Sequence, residues 1–271
     1  MIRFKPHGVI ASIFVASLLL FAALFLRFPV LYDGDSYFHL AAARLYAEGI
    51  PAGLEWARFS VMREGWGDKE ILFHLFLLPF TMLPDPAVGG RLALAGLNAA
   101  LLTLLSGLGW RTIGRWGLLI GPMTYLLQPD FLNRAFRLRP ELLGVTLLIA
   151  MIVLAARRSY LGAALVACAW TLGYTAAQVP AGLALLWVAW ERFERGVWNT
   201  RLALAVPGGV ALGLLVHPHF PKNLEIWWIQ NVRFFEFKSR LDVGEEIFAP
   251  GLAGIVLSNA AIVLVLGSLW L

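Results

Sequence analysis

The feature that most constrains this chain is a series of long apolar runs separated by short polar breaks. Residues 8–28 form a run of about the ~20 residues that a helix needs to cross the hydrocarbon core of a bilayer, and more such runs follow. Hydrophobic residues make up 59% of the 271 positions and charged residues 14%. In soluble domains, roughly 45–50% of residues are apolar and roughly 25% are charged. The sequence therefore predicts an all-α polytopic membrane protein.

Eight apolar runs are candidate transmembrane helices. They cover residues 8–28, 88–109, 116–132, 141–156, 160–177, 178–191, 202–216 and 252–271. Another run, residues 71–83, is too short to cross and ends in Pro-Asp-Pro, which predicts a re-entrant or interfacial helix in the first outer loop. We expect a single transmembrane domain over 1–271, with outer loops 29–87 and 217–251. The apolar end of the sequence suggests either a compact protein or the N-terminal part of a longer chain.

Basic residues set the predicted orientation of these spans. If residues 71–83 do not cross, the loops at Arg111 and Arg157 fall on the same side as Arg3 and Lys5, as the positive-inside rule requires. We therefore expect an integral protein of the bacterial plasma membrane, with a cytoplasmic N-terminus and a periplasmic or extracellular active face. The same rule accounts for the net charge of +5, so nucleic-acid binding is not expected.

The strongest chemical motif, Asp-Gly-Asp-Ser-Tyr-Phe-His-Leu, follows the first apolar run directly. Asp33 and Asp35 flank Gly34, and two carboxylates so placed can converge on a hard divalent cation such as Mg²⁺ or Mn²⁺. If the following residues are helical, His39 stands one turn above Asp35 on the same face. The alternative is that Asp35 or Ser36 caps that helix, and both roles can hold at once.

A second polar segment, residues 63–70, leads into the short apolar run that holds His74. Two glycines flank Trp66 and alternating charges run from Asp68 to Glu70, a pattern typical of a structured loop at a membrane surface. Asp68 and Glu70 are therefore candidate substrate-binding residues. The alternative is an interfacial tryptophan anchor followed by solvated charges.

A third segment, residues 133–141, carries three arginines between two predicted spans. Arginines on the outer face run against the positive-inside bias, and guanidinium groups bind phosphate in a bidentate manner. Arg137 and Arg139 are therefore candidate phosphate-binding residues. The alternative is that this loop lies in the cytoplasm.

A fourth segment contains His217 and His219. Pro218 lies between the two histidines, Pro221 follows two residues after His219, and two tryptophans come a few residues later. Histidines two residues apart can bind a metal or a substrate, and we include His219 among the candidate substrate-binding residues. The prolines favour the alternative of a rigid loop. Glu245 and Glu246 follow before the last apolar run.

The first and third segments together carry a family resemblance. A first span, an outward Asp-Gly-Asp-Ser-Tyr-Phe-His-Leu motif and an arginine-rich loop two spans later resemble the superfamily of oligosaccharyltransferase catalytic subunits and protein mannosyltransferases. These are GT-C glycosyltransferases, which take sugar from a polyprenyl-phosphate or polyprenyl-diphosphate donor on the outer face. The resemblance covers roughly residues 1–160 and rests mainly on Asp33, Asp35, His39 and the loop 134–141.

The resemblance implies roles for individual residues. Asp35, with Asp33 beside it, and Glu141 would be catalytic, and Asp35 and Glu141 would bind the divalent cation. Arg137 and Arg139 would face the donor phosphate. The sequence departs from the family because the third segment reads Arg-Pro-Glu where a paired Asp motif is expected, and because no large C-terminal globular domain follows.

The implied function is transfer of sugar from a polyprenyl-linked donor to an acceptor that the sequence does not identify. A sugar leaving on phosphate needs neutralisation of the leaving group and a carboxylate for the acceptor, and both are predicted on one face. The alternative is a non-enzymatic transporter or flippase-like carrier of an anionic lipid or glycan, which would place charges midway along its spans. A structural subunit is a third hypothesis.

Overall fold

The protein is all-helical over the residues that the computed structural model describes, 6–60 and 62–237. Within these ranges no strand is present, which confirms the predicted all-α class. The helices are α1 Pro6–Phe25, α2 Gly34–Leu45, α3 Ile71–Thr81, α4 Pro86–Ile113, α5 Ile120–Leu127, α6 Pro129–Ala135, α7 Glu141–Ala156, α8 Tyr160–Gly173, α9 Gln178–Arg195, α10 Thr200–Leu215, α11 Lys222–Trp228 and α12 Phe234–Phe237. A 3₁₀ helix, Gly114–Leu119, precedes α5, and a π-helical turn, Ile229–Arg233, precedes α12.

Most predicted apolar runs coincide with helices. The run 141–156 matches α7, and the run 71–83 matches the short helix α3. The run 116–132 does not form one helix, because Gln128 separates α5 from α6. The run 252–271, Arg3, Lys5, Glu245 and Glu246 lie outside the described residues.

Eight membrane spans are not supported by the described helices. Two segments, Gly8–Phe25 and Pro86–Leu127, are long and apolar enough to cross a bilayer, a test that signal sequences and buried helices of soluble proteins also pass. The apolar helices α3, α7, α8 and α10 are shorter than 18 residues. At 1.5 Å per residue, α7, α8 and α10 reach only about 21–24 Å, against a hydrocarbon core of about 30 Å. Residence in a membrane is therefore supported weakly, and multi-pass insertion stays a prediction.

The chain divides into two compact units. Within the described residues, the first unit contains 6–33 and Arg91–Leu138, and the second contains Gly34–Gly90 and Arg139–Glu236. The expectation of a single transmembrane domain over 1–271 stays a prediction.

The long apolar segment of the first unit reverses direction at a glycine. Gly114 has φ +67°, a left-handed conformation that glycine adopts without strain. Beyond it, the Ser106 hydroxyl donates a hydrogen bond to the carbonyl of Leu118 at 2.9 Å, and the Tyr125 hydroxyl donates to Oδ1 of Asn98 at 2.9 Å. Residues 91–127 therefore form a helical hairpin rather than one straight helix.

Close packing of α8 on α10 organises the second unit. Gly209 and Gly213 are one helical turn apart on α10, and a Cβ atom at either would overlap the backbone carbonyl of Ala164 or Cys168 on α8. Such small-residue contacts let two helix backbones approach closely, as is common between membrane helices. Helix α7 packs on α8, α9 packs on α10, and α3 packs on both α2 and α8.

Three arginines of the second unit meet at one end of helices α7 to α10. Arg158 lies between α7 and α8, Arg195 ends α9 and Arg201 begins α10, and all three line one cavity of about 310 Å³. Asn199 caps α10 there, because its Oδ1 accepts the Leu202 N–H at 3.2 Å. The loop at Arg158 and the loop from Arg195 to Arg201 are thus neighbours, and the side of the membrane on which they lie stays a prediction.

The packing of α8 on α10 predicts that Gly209→Ala destabilises the protein. The added methyl group would overlap the Ala164 carbonyl, so the helices must separate, at a cost of about 1–3 kcal/mol in unfolding free energy. Gly208→Ala is the matched control, because its Cβ meets open space and alanine favours helix by up to about 1 kcal/mol. Thermal unfolding in detergent, followed by tryptophan fluorescence, measures both. Equal unfolding midpoints for the two variants would contradict this packing.

Candidate functional site

A cavity of about 420 Å³ in the second unit collects most of the predicted site residues. Its lining comes from α2, the segment before α3, α3 itself, the start of α7, the segment after α8, α11 and the π-helical turn. Six of the nine candidates line it: Asp35, His39, Asp68, Glu70, Arg139 and Glu141. Segments more than 100 residues apart in the sequence therefore contribute to one pocket of the size that binds small ligands.

Asp35 and Arg139 form an ion pair in this cavity. Their carboxylate Oδ2 and guanidinium Nη2 atoms are 2.8 Å apart, with the Asp35 side chain 60% exposed and that of Arg139 17% exposed. Helix α2 begins at Gly34, so Asp35 lies in its first turn, where the helix dipole favours negative charge. The ion pair therefore connects the first polar segment to the third, and the capping role considered for Asp35 or Ser36 stays a prediction.

Asp68 is the centre of a buried hydrogen-bond network. Its Oδ2 accepts the Nδ1–H of His74 at 2.6 Å and the hydroxyl of Tyr46 at 2.6 Å, while Oδ1 accepts the backbone N–H of Glu70 at 2.9 Å. Burial alone would raise the pKa of this carboxyl group. The attraction of His74 in its protonated form, the hydrogen bond from His74 and the other two donors lower the pKa below its usual value. Asp68 is thus held as a buried carboxylate.

His39 faces His74 across a hydrogen-bond distance. His74 donates from Nδ1 to Asp68, so its Nε2 lone pair points towards Nδ1 of His39, 3.0 Å away. Burial, followed by the repulsion from His74 in its protonated form and then from Lys69, lowers the pKa of His39 to about 3. His39 is therefore a neutral imidazole.

Glu70 completes this buried group. Its Oε2 lies 3.8 Å from Nδ1 of His39, and its Oε1 lies 3.5 Å from the ammonium group of Lys69. Burial raises the pKa of Glu70, although Lys69 and His74 act in the opposite direction. Glu70 is only 6% exposed. The prediction of a polar loop residue did not include this burial.

His219 reaches the network through Tyr46. Since the Tyr46 hydroxyl gives its proton to Asp68, its oxygen accepts Nε2–H of His219 at 3.1 Å. Burial and the neighbouring Asp68 carboxylate raise the pKa of Tyr46, so the phenol stays protonated. His219 therefore contacts Asp68 only through Tyr46, and it does not line the cavity.

Two further candidates lie in the other unit of the chain. Asp33 and Arg137 both belong to the first unit and do not line the 420 Å³ cavity. The guanidinium of Arg137 lies over the ring of Tyr32, 5.8 Å from its centroid, a cation–π geometry. Their predicted roles in catalysis and phosphate binding stay predictions.

Sequence analysis missed roles for His74 and Tyr46. A signal existed for His74, because Glu70 and His74 are four residues apart at the start of α3, where such a spacing puts side chains on one face. No comparable signal existed for Tyr46, since it lies 22 residues before Asp68 and meets it only through the fold.

A buried group of three residues could hold a metal ion. His39, Glu70 and His74 each offer one ligand atom, and these atoms lie within 4.8 Å of one another. The cation site predicted at Asp35 and Glu141 is a different one, and the positive charge of Arg139 beside Asp35 disfavours a cation there. That site stays a prediction.

Comparison of the chain with known protein families, with curated proteins and with solved structures found no match.

The network predicts that Tyr46→Phe destabilises the protein. Phenylalanine keeps the ring contacts but removes a hydrogen bond to a buried carboxylate, a loss of about 1.5–3 kcal/mol in unfolding free energy. Tyr32→Phe is the matched control, because Tyr32 is 61% exposed and its ring contacts survive the change. Thermal unfolding of the two variants compares them. A Tyr46→Phe midpoint equal to that of Tyr32→Phe would exclude a strong bond to Asp68.

Proposed function

We propose that the chain is a membrane glycosyltransferase of the GT-C type, with the 420 Å³ cavity of the second unit as its active site. It would transfer a sugar from a polyprenyl-phosphate or polyprenyl-diphosphate donor to an acceptor on the outer face of a bacterial plasma membrane. The proposal rests on the resemblance of the first and third polar segments to that superfamily and on the cavity in which Asp35, Arg139 and Glu141 meet.

The ion pair between Asp35 and Arg139 is the observation that carries the proposal. A glycosyl transfer from a lipid phosphate needs a cation for the leaving group and a carboxylate for the acceptor, both in one pocket. Arg139 offers two parallel N–H groups to a phosphate, and Lys69 adds a second positive charge to the cavity wall. The pair itself is half-exposed, and such pairs contribute only about 0–1 kcal/mol, so a phosphate can compete for Arg139.

The proposed step follows from that competition. Donor phosphate engages Arg139, which frees the Asp35 carboxylate for the acceptor. The nucleophilic atom of the acceptor forms a bond to the anomeric carbon, while the bond from that carbon to the phosphate oxygen breaks and its electron pair leaves with the phosphate. Asp35 accepts the proton of the acceptor. Glu141, at the start of α7, orients the acceptor.

An apolar cavity in the first unit supports a lipid as ligand. This cavity has a volume of about 520 Å³ and an aromatic lining that includes Phe25, Phe28 and Phe136. Apolar walls of this kind suit a prenyl or acyl chain, whose burial is favourable at about 0.8 kcal/mol per CH₂ group.

The arrangement of the second unit supports the proposed orientation. Glu141 at the start of α7 and Thr175 after α8 line the 420 Å³ cavity, whereas the opposite ends of these helices meet the arginine cavity around Arg158 and Arg195. Cytoplasmic arginines and an outer active site would follow from the positive-inside rule if these helices lie in a bilayer.

The proposal predicts that Asp35→Asn abolishes transfer without unfolding the protein. Asparagine has the same shape but no negative charge, so the rate should fall by about 10²–10³ or more if the carboxylate contacts the acceptor. The assay incubates proteoliposomes with radiolabelled polyprenyl-phosphate and polyprenyl-diphosphate sugars and follows release of sugar from the lipid.

Glu48→Gln is the control, because Glu48 is an exposed carboxylate just after α2 and does not line the cavity. It should keep wild-type transfer. Near-normal transfer by Asp35→Asn would refute the role of Asp35. Lipid movement across the bilayer without any sugar release from the wild-type protein would favour the carrier hypothesis.

A further inference from the structure

The buried group formed by His39, Glu70 and His74 has the composition of a transition-metal site. Nδ1 of His39 and Nε2 of His74 are 3.0 Å apart, and Oε2 of Glu70 is 3.8 Å from the same His39 nitrogen. In a tetrahedral zinc site with bonds of about 2.0–2.2 Å, neighbouring ligand atoms are about 3.3–3.5 Å apart. All three ligand atoms lie within 4.8 Å of one another, so modest rotations of these side chains would bring them onto one ion.

We propose that His39, Glu70 and His74 bind a zinc ion at the wall of the 420 Å³ cavity, with one coordination position open to the cavity. This inference goes beyond glycosyl transfer and does not rest on it, because its test reads bound metal. It also differs from the predicted Mg²⁺ or Mn²⁺ site at Asp35 and Glu141, which uses none of these three residues.

Asp68 provides the outer-shell contact that such a site requires. A metal-binding histidine usually donates its second N–H to a carboxylate, which fixes the ring and its tautomer. His74 donates Nδ1–H to Asp68 at 2.6 Å, and Asp68 is itself held by Tyr46 and by the Glu70 backbone. The Nε2 lone pair of His74 is therefore already directed at the proposed ion.

The ligand types favour zinc over the hard cations. Imidazole nitrogen suits Zn²⁺ and other late transition metals, whereas Mg²⁺ prefers oxygen ligands and keeps several waters. Two histidines and one glutamate are also the ligand set of zinc sites that keep a fourth position for water or substrate. A dication would further offset the two buried carboxylates, Asp68 and Glu70, which are 2% and 6% exposed.

All three ligands line the cavity, so the fourth position can face its interior. A water molecule or an oxygen of a ligand would occupy that position. The bound zinc would be a Lewis acid in the part of the cavity wall formed by α2 and α3. This position is separate from the ion pair of Asp35 and Arg139.

The test measures zinc bound to the full chain in detergent. The purified protein is stripped with a chelator and titrated with Zn²⁺ against a chromophoric competitor, and bound metal is counted by mass spectrometry after desalting. Wild type should bind one ion per chain. Glu70→Gln should weaken binding by more than about 100-fold, and Asp68→Asn by about 10–100-fold, since Asp68 acts through His74.

Glu64→Gln is the matched control, because Glu64 is an exposed carboxylate in the same segment and outside the group. It should bind zinc like wild type. Cobalt provides a readout independent of any variant: Co²⁺ in the wild-type protein should give the intense visible bands of tetrahedral coordination. Absence of bound zinc in wild type, equal affinity in Glu70→Gln, or only the weak bands of octahedral Co²⁺ would each overturn the proposal.

Discussion

The buried carboxylate of Asp68 is the interaction on which the candidate site depends. It accepts hydrogen bonds from His74 on α3, from Tyr46 beyond α2 and from the backbone of Glu70. A buried carboxylate without partners would cost several kcal/mol, so these three donors must stay in place together. Their positions fix α3 against α2 and direct His74 at His39. The chemistry proposed for the cavity wall follows from that one constraint.

The second unit joins this polar centre to an apolar frame. Helices α8 and α10 approach closely through glycine and alanine, and α3 packs on α8. The segment before α3 can therefore bury charged residues because the surrounding helices exclude water. Asp35 and Arg139, at the more exposed part of the cavity, remain accessible to an anion. The site thus combines a rigid buried part with an ion pair that a ligand can open.

Local patterns in the sequence predicted the helices better than the chain reversals. The bounds of α7 were predicted because Glu141 and Arg157 border a continuous apolar run. The run 116–132 was wrong as a single helix, since hydrophobicity does not register the break at Gln128. For the site, helical spacing correctly put Asp35 and His39 on one helix. The contacts of Asp68 with Tyr46 and of Tyr46 with His219 join residues 22 and 173 positions apart, which no local pattern encodes.

The central claim is that the second unit lies in a membrane. Its 420 Å³ cavity would face the outer side, and the 310 Å³ cavity lined by Arg158, Arg195 and Arg201 (the arginine cavity) would face the cytoplasm. Labelling of single cysteines in intact cells with an impermeant thiol reagent tests it, in a background where Cys168, the single cysteine, is replaced by alanine. Arg58→Cys, in the exposed segment between α2 and α3, should label directly. Val197→Cys, in the arginine cavity and 60% exposed, should label only after permeabilisation. Direct labelling of Val197→Cys, or protection of Arg58→Cys until permeabilisation, would contradict the account.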